Sequence, residues 1–229
     1  MVRLLAIALC LAAAACSSEG RAPLADVLVE RIGALIPGSP PPPSNDGRAE
    51  ALTRAAVEAA GATLIRAGLA AETGRFVMSG VSENAGFVTY ASRLSQSVTL
   101  QGGLVTASRG IGFDLLAVEF AANDPVARPR APDDWPPRVA RTYVFPAPDP
   151  RGKRVTVTCR FIASGTATLE IVERVHQTRR ILERCAGDAT FDNLHFADAE
   201  TGFVWQTQQW LGPRQGAIVV EVIEPFTGE

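Results

Sequence analysis

The segment FVTYASRLSQSVTLQGGLVTASRGIGFDL, residues 87–115, decides the fold class of this chain. Its apolar residues alternate with Thr, Ser and Gln in short runs, as at Val98 and Leu100. A period of two residues is typical of strands that bury one face. Gly102 and Gly103 separate two of these runs, which predicts a tight hairpin turn. The segment therefore predicts consecutive antiparallel strands.

Similar runs continue on both sides of this segment. Strand candidates lie at 63–69, 75–80, 86–91, 97–100, 104–108, 115–120, 154–161, 167–181, 190–197, 202–208 and 217–223. Many short strands at close spacing favour an antiparallel meander over alternating strand–helix units. We therefore predict an all-β fold, a sandwich or open barrel, with one or two short N-terminal helices.

Two regions interrupt this pattern. Residues 121–150 carry eight of the sixteen prolines. Because proline cannot donate to a sheet ladder, we predict a long surface excursion there, with an edge strand at 143–145. Residues 169–184 fit a helical period in part, but their β-branched content favours a strand.

The sequence before the strands predicts a short helix, an extended tether and a second helix. Apolar residues at 24–36 fall on one face of a short amphipathic helix. The stretch PGSPPPPSN at 37–45 predicts an extended, proline-rich tether. Asp46 is the expected N-cap of a helix over 48–60 that ends at Gly61. We assign residues 48–229 to a single β-rich domain.

The N-terminus has the features of an export signal. An arginine precedes an apolar run at 4–15, which is too short to span a bilayer as a helix. Small residues at 13–15 precede Cys16, a pattern that resembles a bacterial lipobox, with Leu11 further back than usual. The alternative is ordinary secretion, with cleavage after Ala15 and a spare thiol.

The lipobox interpretation makes residues 1–15 a signal peptide and Cys16 the lipidated first residue of the mature chain. Attached diacylglycerol and an N-linked acyl chain such as palmitate would anchor the protein stably to a membrane. Residues 16–47 would then hold the anchor, the short helix and the tether. The position after Cys16 is Ser17 and not Asp, which resembles the sorting signal of Gram-negative outer-membrane lipoproteins. We expect a lipid-anchored protein on the outer membrane that faces the periplasm.

The remaining cysteines predict a disulfide. With Cys10 removed in the signal peptide and Cys16 lipidated, Cys159 and Cys185 form an even pair in an oxidising compartment. The alternative is two reduced core cysteines or a redox pair, but no C-x-x-C spacing occurs. A disulfide is therefore the preferred interpretation.

Catalytic and ligand-binding signatures are scarce. A net charge of −2 argues against a nucleic-acid partner. His176 and His195 have no metal-ligand spacing, so we interpret both as strand-surface residues and predict neither a metal nor a cofactor. Gly110 and Gly112 favour a bend after a strand over a phosphate cradle. Solvated strand faces and caps are the favoured interpretation of six scattered acids, and a glycosidase-like pair is the alternative: Asp114, Glu119, Glu170, Glu173, Asp192 and Asp198.

Two tryptophans are candidates for an interaction surface. Trp205 and Trp210 lie beside glutamines in FVWQTQQWLGP, a composition found where sugars stack on proteins. Packing in the core or at its rim is the favoured alternative.

Two blocks of this chain resemble the YjbF/GfcB lipoprotein family of group 4 capsule and exopolysaccharide systems. The first is SRGIGFDL at 108–115, after a strand–turn–strand; the second has the spacing E-x-C … N … W … Q-W … P. The residues that carry the second block are Glu183, Cys185, Asn193, Trp205, Gln209, Trp210 and Pro213, with Cys159 as the upstream partner cysteine. The likeness covers about 52–223, and residues 121–150 match poorly.

The resemblance implies an all-β, non-enzymatic accessory lipoprotein for exopolysaccharide or capsule export. It implies a periplasmic companion protein, an outer-membrane β-barrel and the polysaccharide itself as partners. Arg109, Asp114, Trp205, Gln209 and Trp210 are the candidate interaction residues. An alternative function is a lipid- or glycan-binding carrier, and a glycan-modifying enzyme is a third.

Overall fold

A computed structural model describes residues 52–227. In this range one short helix, α1 (Arg54–Ala60), precedes twelve β-strands. The strands are β1 (Leu64–Leu69), β2 (Phe76–Asn84), β3 (Phe87–Ala91), β4 (Ser97–Gln101), β5 (Leu104–Arg109), β6 (Ala117–Phe120), β7 (Arg138–Phe145), β8 (Lys153–Ile171), β9 (Arg174–Gly187), β10 (Phe191–Asp198), β11 (Val204–Gly212) and β12 (Gly216–Glu224). A 3-10 turn lies at Pro132–Asp134.

The strands form one antiparallel sheet. Its order is β5-β4-β3-β2-β1-β12-β11-β10-β9-β8-β7-β6, so consecutive strands pair within β1–β5 and within β6–β12, and the β1–β12 pair joins these two meanders. The predicted all-β class is confirmed, and the arrangement is a nearly closed barrel. At the ends of the sheet, the Ser108 N–H on β5 donates to the carbonyl of Leu115, two residues before β6, at 2.9 Å. The Leu116 N–H donates to the Val144 carbonyl on β7, also at 2.9 Å.

The hairpin predicted at Gly102 and Gly103 joins β4 to β5. Gly102 has φ of 54°, in the left-handed region that glycine adopts without strain. A Cβ atom there would lie 2.6 Å from the Ala127 carbonyl oxygen. A Cβ on Gly103 would lie 2.5 Å from Cβ of Val204. The two glycines therefore serve both the turn and its close packing.

Alternation along the strands places an apolar core inside the barrel. Complete burial of one large apolar side chain stabilises the folded state by about 1.5–3 kcal/mol. Fully buried members include Ile65, Met78, Val98, Leu104, Leu115, Phe145, Leu211 and Ile218. A smaller core beneath α1 is formed by Val57, Leu64, Ile171 and Ile223.

The prediction that residues 121–150 form a surface excursion is wrong. Val126 and Ala127 are buried in the main core, and Asp124 is completely inaccessible to solvent. β7 lies between β6 and β8, so the predicted edge strand at 143–145 is also wrong. Pro146 directly follows β7, but the segment between β6 and β7 folds inward because Asp124 pairs with Arg141 and Val126 packs in the main core.

One strand predicted at 167–181 is a hairpin in the structure. β8 ends at Ile171 and β9 begins at Arg174, with positive φ at both Val172 and Glu173. The turn lacks Gly, Pro or Asn, so no local signal marks it. The choice of strand over helix for this region is confirmed.

The helix predicted over 48–60 begins later than expected. Thr53 is the N-cap of α1, and its hydroxyl accepts a hydrogen bond from the Ala56 N–H at 3.2 Å. Gly61 ends the helix with φ of 55°, as predicted. Asp46, the segments at 24–36 and 37–45, and Cys16 lie outside the described residues. Within residues 52–227, no helix is long and apolar enough to cross a membrane.

Candidate functional site

The barrel interior contains a group of charged and polar side chains, which we call the polar cluster. Because they occupy inward positions of strands or of the β6–β7 segment, all are buried, with at most 3 % of each residue exposed. The members are Asp124, Arg141 on β7, Glu183 on β9, Asn193 and His195 on β10, and Thr207 on β11.

Arg141 is the centre of the polar cluster. Its Nε lies 2.6 Å from Oδ2 of Asp124 and its Nη2 lies 2.9 Å from Oδ1, a bidentate ion pair. Its Nη1 donates to Oε2 of Glu183 at 2.9 Å. A planar guanidinium suits such paired acceptors. The fold therefore buries one cation between two carboxylates.

Glu183 connects the ion pair to β10 and β11. Its Oε2 accepts from Nδ2 of Asn193 at 2.7 Å and lies 3.0 Å from Nε2 of His195. Since a carboxylate can only accept, Nε2 carries the proton. Nδ1 of His195 lies 2.8 Å from the Thr207 hydroxyl. The network thus links four strands and the β6–β7 segment.

Mutual pairing keeps these groups ionised despite burial. Burial alone would raise the pKa of Glu183, but Arg141, His195 and Asn193 together lower it to about 2. Burial would lower the pKa of Arg141, and the two carboxylates raise it instead. Burial also raises the pKa of the neighbouring Tyr143 to about 12. Glu183 and Arg141 are therefore both charged at neutral pH.

The interpretation of His195 as a strand-surface residue is wrong. Its ring is fully buried, packs 6.4 Å from the Trp135 ring, and bonds to Glu183. Asn193 and His195 share the inward face of β10, where apolar residues are the usual occupants, so the local sequence does not indicate burial. His176 is half-buried and stacks on Trp205 with ring centroids 3.8 Å apart.

The cysteines form the disulfide that the sequence predicts. Cys159 and Cys185 are directly opposed on β8 and β9, with an S–S distance of 2.05 Å. Among residues 52–227, these cysteines and Glu183 make the one grouping of metal-ligand types that comes together. The sulfurs are bonded to each other and the carboxylate pairs with Arg141, so this grouping does not fit a metal ion.

The loop after β5 uses its own aspartate. Oδ2 of Asp114 accepts from the Gly110 N–H at 2.9 Å, and Oδ1 accepts from the Ile111 N–H at 3.2 Å. Gly110 and Gly112 have φ of 73° and 104°. The bend predicted there is present, and its amides are occupied by Asp114.

Arg109 also serves this loop. It is exposed, and its guanidinium donates to the carbonyls of Ser108 and Leu115 at 2.5 and 2.9 Å. The block 108–115 therefore closes the barrel between β5 and β6.

Gln209 is buried, and both the oxygen and the nitrogen of its amide form hydrogen bonds within the fold. It accepts from the Val105 N–H at 3.2 Å and donates to the Gly103 carbonyl at 2.6 Å. This contact ties β11 to the β4–β5 hairpin across the barrel. Gln209 is therefore not accessible to a partner at the surface.

The two tryptophans are half-buried and pack against other rings. Trp210 stacks on Phe191 with centroids 4.3 Å apart, and its N–H on the main chain donates to Oδ1 of Asn193 at 2.7 Å. Trp205 lies against Phe203 at 4.7 Å as well as against His176. Trp205 and Trp210 both lie on β11, whereas Arg109 ends β5 and Asp114 lies in the loop that follows it.

The six acids considered for a glycosidase pair stay apart from the polar cluster. Glu119 pairs with Arg154, Asp192 lies 3.8 Å from Arg184, and Asp198 caps the turn at Thr201. Glu58 and Glu224 both pair with Arg174 beside α1. Asp124 and Glu183 are brought together in the interior, where they flank Arg141. Their position inside the core makes them structural groups.

These features define a class of protein: an all-β domain whose nearly closed antiparallel barrel is held by a buried ion network and a disulfide. The family model for "Group 4 capsule polysaccharide lipoprotein gfcB, YjbF" matches residues 25–223. The chain belongs to this family of capsule polysaccharide lipoproteins.

A solved structure has a similar fold. The crystal structure of the hypothetical lipoprotein YmcC from Escherichia coli K12 superposes with a TM-score of 0.60 and 18% sequence identity. The match covers 72% of this chain and 88% of the other. A search of curated proteins found no match.

Proposed function

We propose that this protein is an outer-membrane lipoprotein that faces the periplasm and acts as a non-enzymatic accessory factor in exopolysaccharide or capsule export. The observation that carries the proposal is the match to the capsule polysaccharide lipoprotein family over residues 25–223. The lipobox-like sequence ending at Cys16 supports a membrane anchor. A periplasmic companion and an outer-membrane β-barrel are the proposed partners.

The use of the buried charges supports a non-enzymatic role. Asp124 and Glu183 neutralise Arg141 inside the core, away from any substrate. Catalytic carboxylates of glycosidases instead flank a cleft that admits a sugar. Purified full chain incubated with the native polysaccharide should release no new reducing ends. Steady release of reducing ends would overturn this part of the proposal.

The carrier alternative receives less support. A lipid carrier needs a continuous apolar cavity, but the polar cluster and aromatic rings occupy the barrel interior. An open groove of about 870 Å³ lies beside α1, and charged residues including Glu58, Glu83 and Arg174 line it together with apolar ones. This mixed lining does not favour an acyl chain.

Deletion and complementation test the accessory role. A clean deletion should lower extracellular polysaccharide, and the wild-type gene should restore it. Cys16→Ala should fail to restore it because the anchor is lost. Cys10→Ala is the matched control, since that cysteine lies in the signal peptide, and it should complement fully. Unchanged polysaccharide in the deletion strain would overturn the proposed function.

A further inference from the structure

Three arginines lie side by side on the outer face of the barrel, and we call them the arginine row. Arg138 on β7 is directly opposite Arg160 on β8, and Arg160 is directly opposite Arg184 on β9. All three side chains are exposed. With neighbouring strands about 4.8 Å apart, the row extends roughly 10 Å across the sheet.

The arginine row is nearly free of counter-charge. Among residues 52–227, the carboxylate of Asp192 is the one that reaches it, 3.8 Å from Nε of Arg184. Like charges directly opposite one another destabilise a sheet. By contrast, Thr142 and Thr156, which are opposite each other on the same face, stabilise their strands through a shared hydrogen bond at 3.0 Å. The row is therefore an unfavourable arrangement in the free protein.

An apolar row runs parallel to the arginine row, one outward position further along the strands. Ile162, Leu182 and Leu194 are cross-strand neighbours there and are partly exposed. Gln208 on β11 continues the row, opposite Leu194. Arg180 is exposed beyond it, opposite Phe196. Cationic, aliphatic and amide groups thus lie next to one another over five strands, β7 to β11.

We propose that this outer face of β7–β11 binds an acidic polysaccharide chain that carries carboxylates. The inference rests on the proposed function and names the ligand that the accessory factor contacts. Guanidinium groups bind carboxylates by charge-assisted, often bidentate hydrogen bonds. The aliphatic row suits the C–H faces of sugar rings, and Gln208 offers hydrogen bonds to hydroxyls.

The charge distribution favours a polyanion as the occupant. The whole chain has a net charge of −2, yet this face carries Arg138, Arg160, Arg180 and Arg184 against Asp192. A charged linear polymer can place successive carboxylates along the row, and binding would relieve the repulsion between its arginines.

Binding of polygalacturonate to the full chain, purified in neutral detergent, tests the proposal. Fully methyl-esterified polygalacturonate is the uncharged control. The unesterified polygalacturonate should bind, and its binding should weaken as the salt concentration is raised. Arg160→Glu should bind at least about tenfold more weakly, because it removes the central charge-assisted contacts. Arg93→Glu, the same charge change in the exposed β3–β4 turn, should bind like the wild type.

The variants separate a binding defect from a folding defect. Arg160→Glu places a carboxylate between Arg138 and Arg184, so its melting temperature should equal or exceed that of the wild type. Equal binding of the acid and ester forms, or no effect of Arg160→Glu, would overturn the proposal. Stronger retention by phosphatidylglycerol vesicles than by polygalacturonate would overturn it in favour of a lipid-headgroup surface.

The outcome is distinguishable from failure of the proposed function. If deletion lowers extracellular polysaccharide while Arg160→Glu complements fully and polygalacturonate does not bind, the accessory role stands and this inference is wrong. If deletion has no effect, the accessory role itself is wrong.

Discussion

Arg138 and Arg141 lie three residues apart on β7 and have opposite environments. Arg141 points into the barrel, where Asp124 and Glu183 neutralise it. Arg138 points outward beside Arg160 and has no carboxylate partner among residues 52–227. A buried charge without a partner would be too costly to fold, whereas water solvates an exposed one. The inner face of these strands is therefore fixed by stability, and the outer face is free to serve binding.

Removal of Arg141 should have the largest effect. Arg141→Ala leaves two buried carboxylates without a cation and should destabilise the fold by about 3–5 kcal/mol. Chemical denaturation followed by circular dichroism measures this change. Arg154→Ala, which breaks an exposed pair with Glu119, is the control and should leave the free energy of unfolding nearly unchanged. Equal stability of the two variants would show that the buried network contributes little.

Loss of the disulfide should be the next largest effect. Cys159 and Cys185 are separated by 26 residues, a loop whose closure stabilises the native state by about 3–4 kcal/mol through chain entropy. Cys159→Ser combined with Cys185→Ser should lower the denaturation midpoint accordingly. Reduction of the wild type should lower it similarly. A midpoint insensitive to both treatments would contradict the prediction.

Acid should affect the wild type more than a Glu183 variant. The pKa of Glu183 is lowered in the folded state from 4.5 to about 2, so its ionised form stabilises the fold above pH 4.5. That contribution, on the order of 3 kcal/mol, is lost as the pH falls from about 4.5 to 2. Glu183→Gln should be less stable than the wild type at pH 7, and its free energy of unfolding should fall little further between pH 4.5 and 2. Parallel pH profiles for the two proteins would refute the assignment.

The smallest effect should come from the outer face, with the opposite sign. Arg160→Glu creates opposite-charge pairs with Arg138 and Arg184 and should stabilise the fold by about 0.5 kcal/mol. Thermal unfolding at low salt measures the gain, which high salt should diminish. Arg160→Gln should give an intermediate value. A loss of stability in Arg160→Glu would mean that these arginines do not repel each other.

Local pattern was enough to predict most strands. The β4–β5 hairpin follows from alternation around Gly102 and Gly103, and the disulfide was predicted from the even pair of cysteines in a chain that we expect to be exported. The β8–β9 turn was missed because Val172 and Glu173 adopt positive φ without any turn residue. Its conformation depends on contacts distant in sequence, such as the donation from Nε of Arg54 to the Val172 carbonyl at 3.1 Å.

The candidate site was harder to predict than the fold. Glu183, Asn193, Gln209 and Trp210 were singled out by family resemblance, and the structure shows their places in the interior and its rim. Asp124 was missed since it lies in the proline-rich segment, and His195 was assigned to the surface. A single polar residue on a strand does not reveal whether its face is inside or outside a barrel.

The hairpin at Gly102–Gly103 and the block at 108–115 both lie in the segment 87–115, whose pattern predicts antiparallel strands. Alternation and glycine spacing by themselves determined that this chain forms a β meander, because both are consequences of local backbone geometry. The tertiary structure decided that the meander closes on itself through Ser108 and Leu115. It also decided that Arg141 is buried while Arg138 is exposed, because burial depends on which distant carboxylates the closed sheet brings within reach.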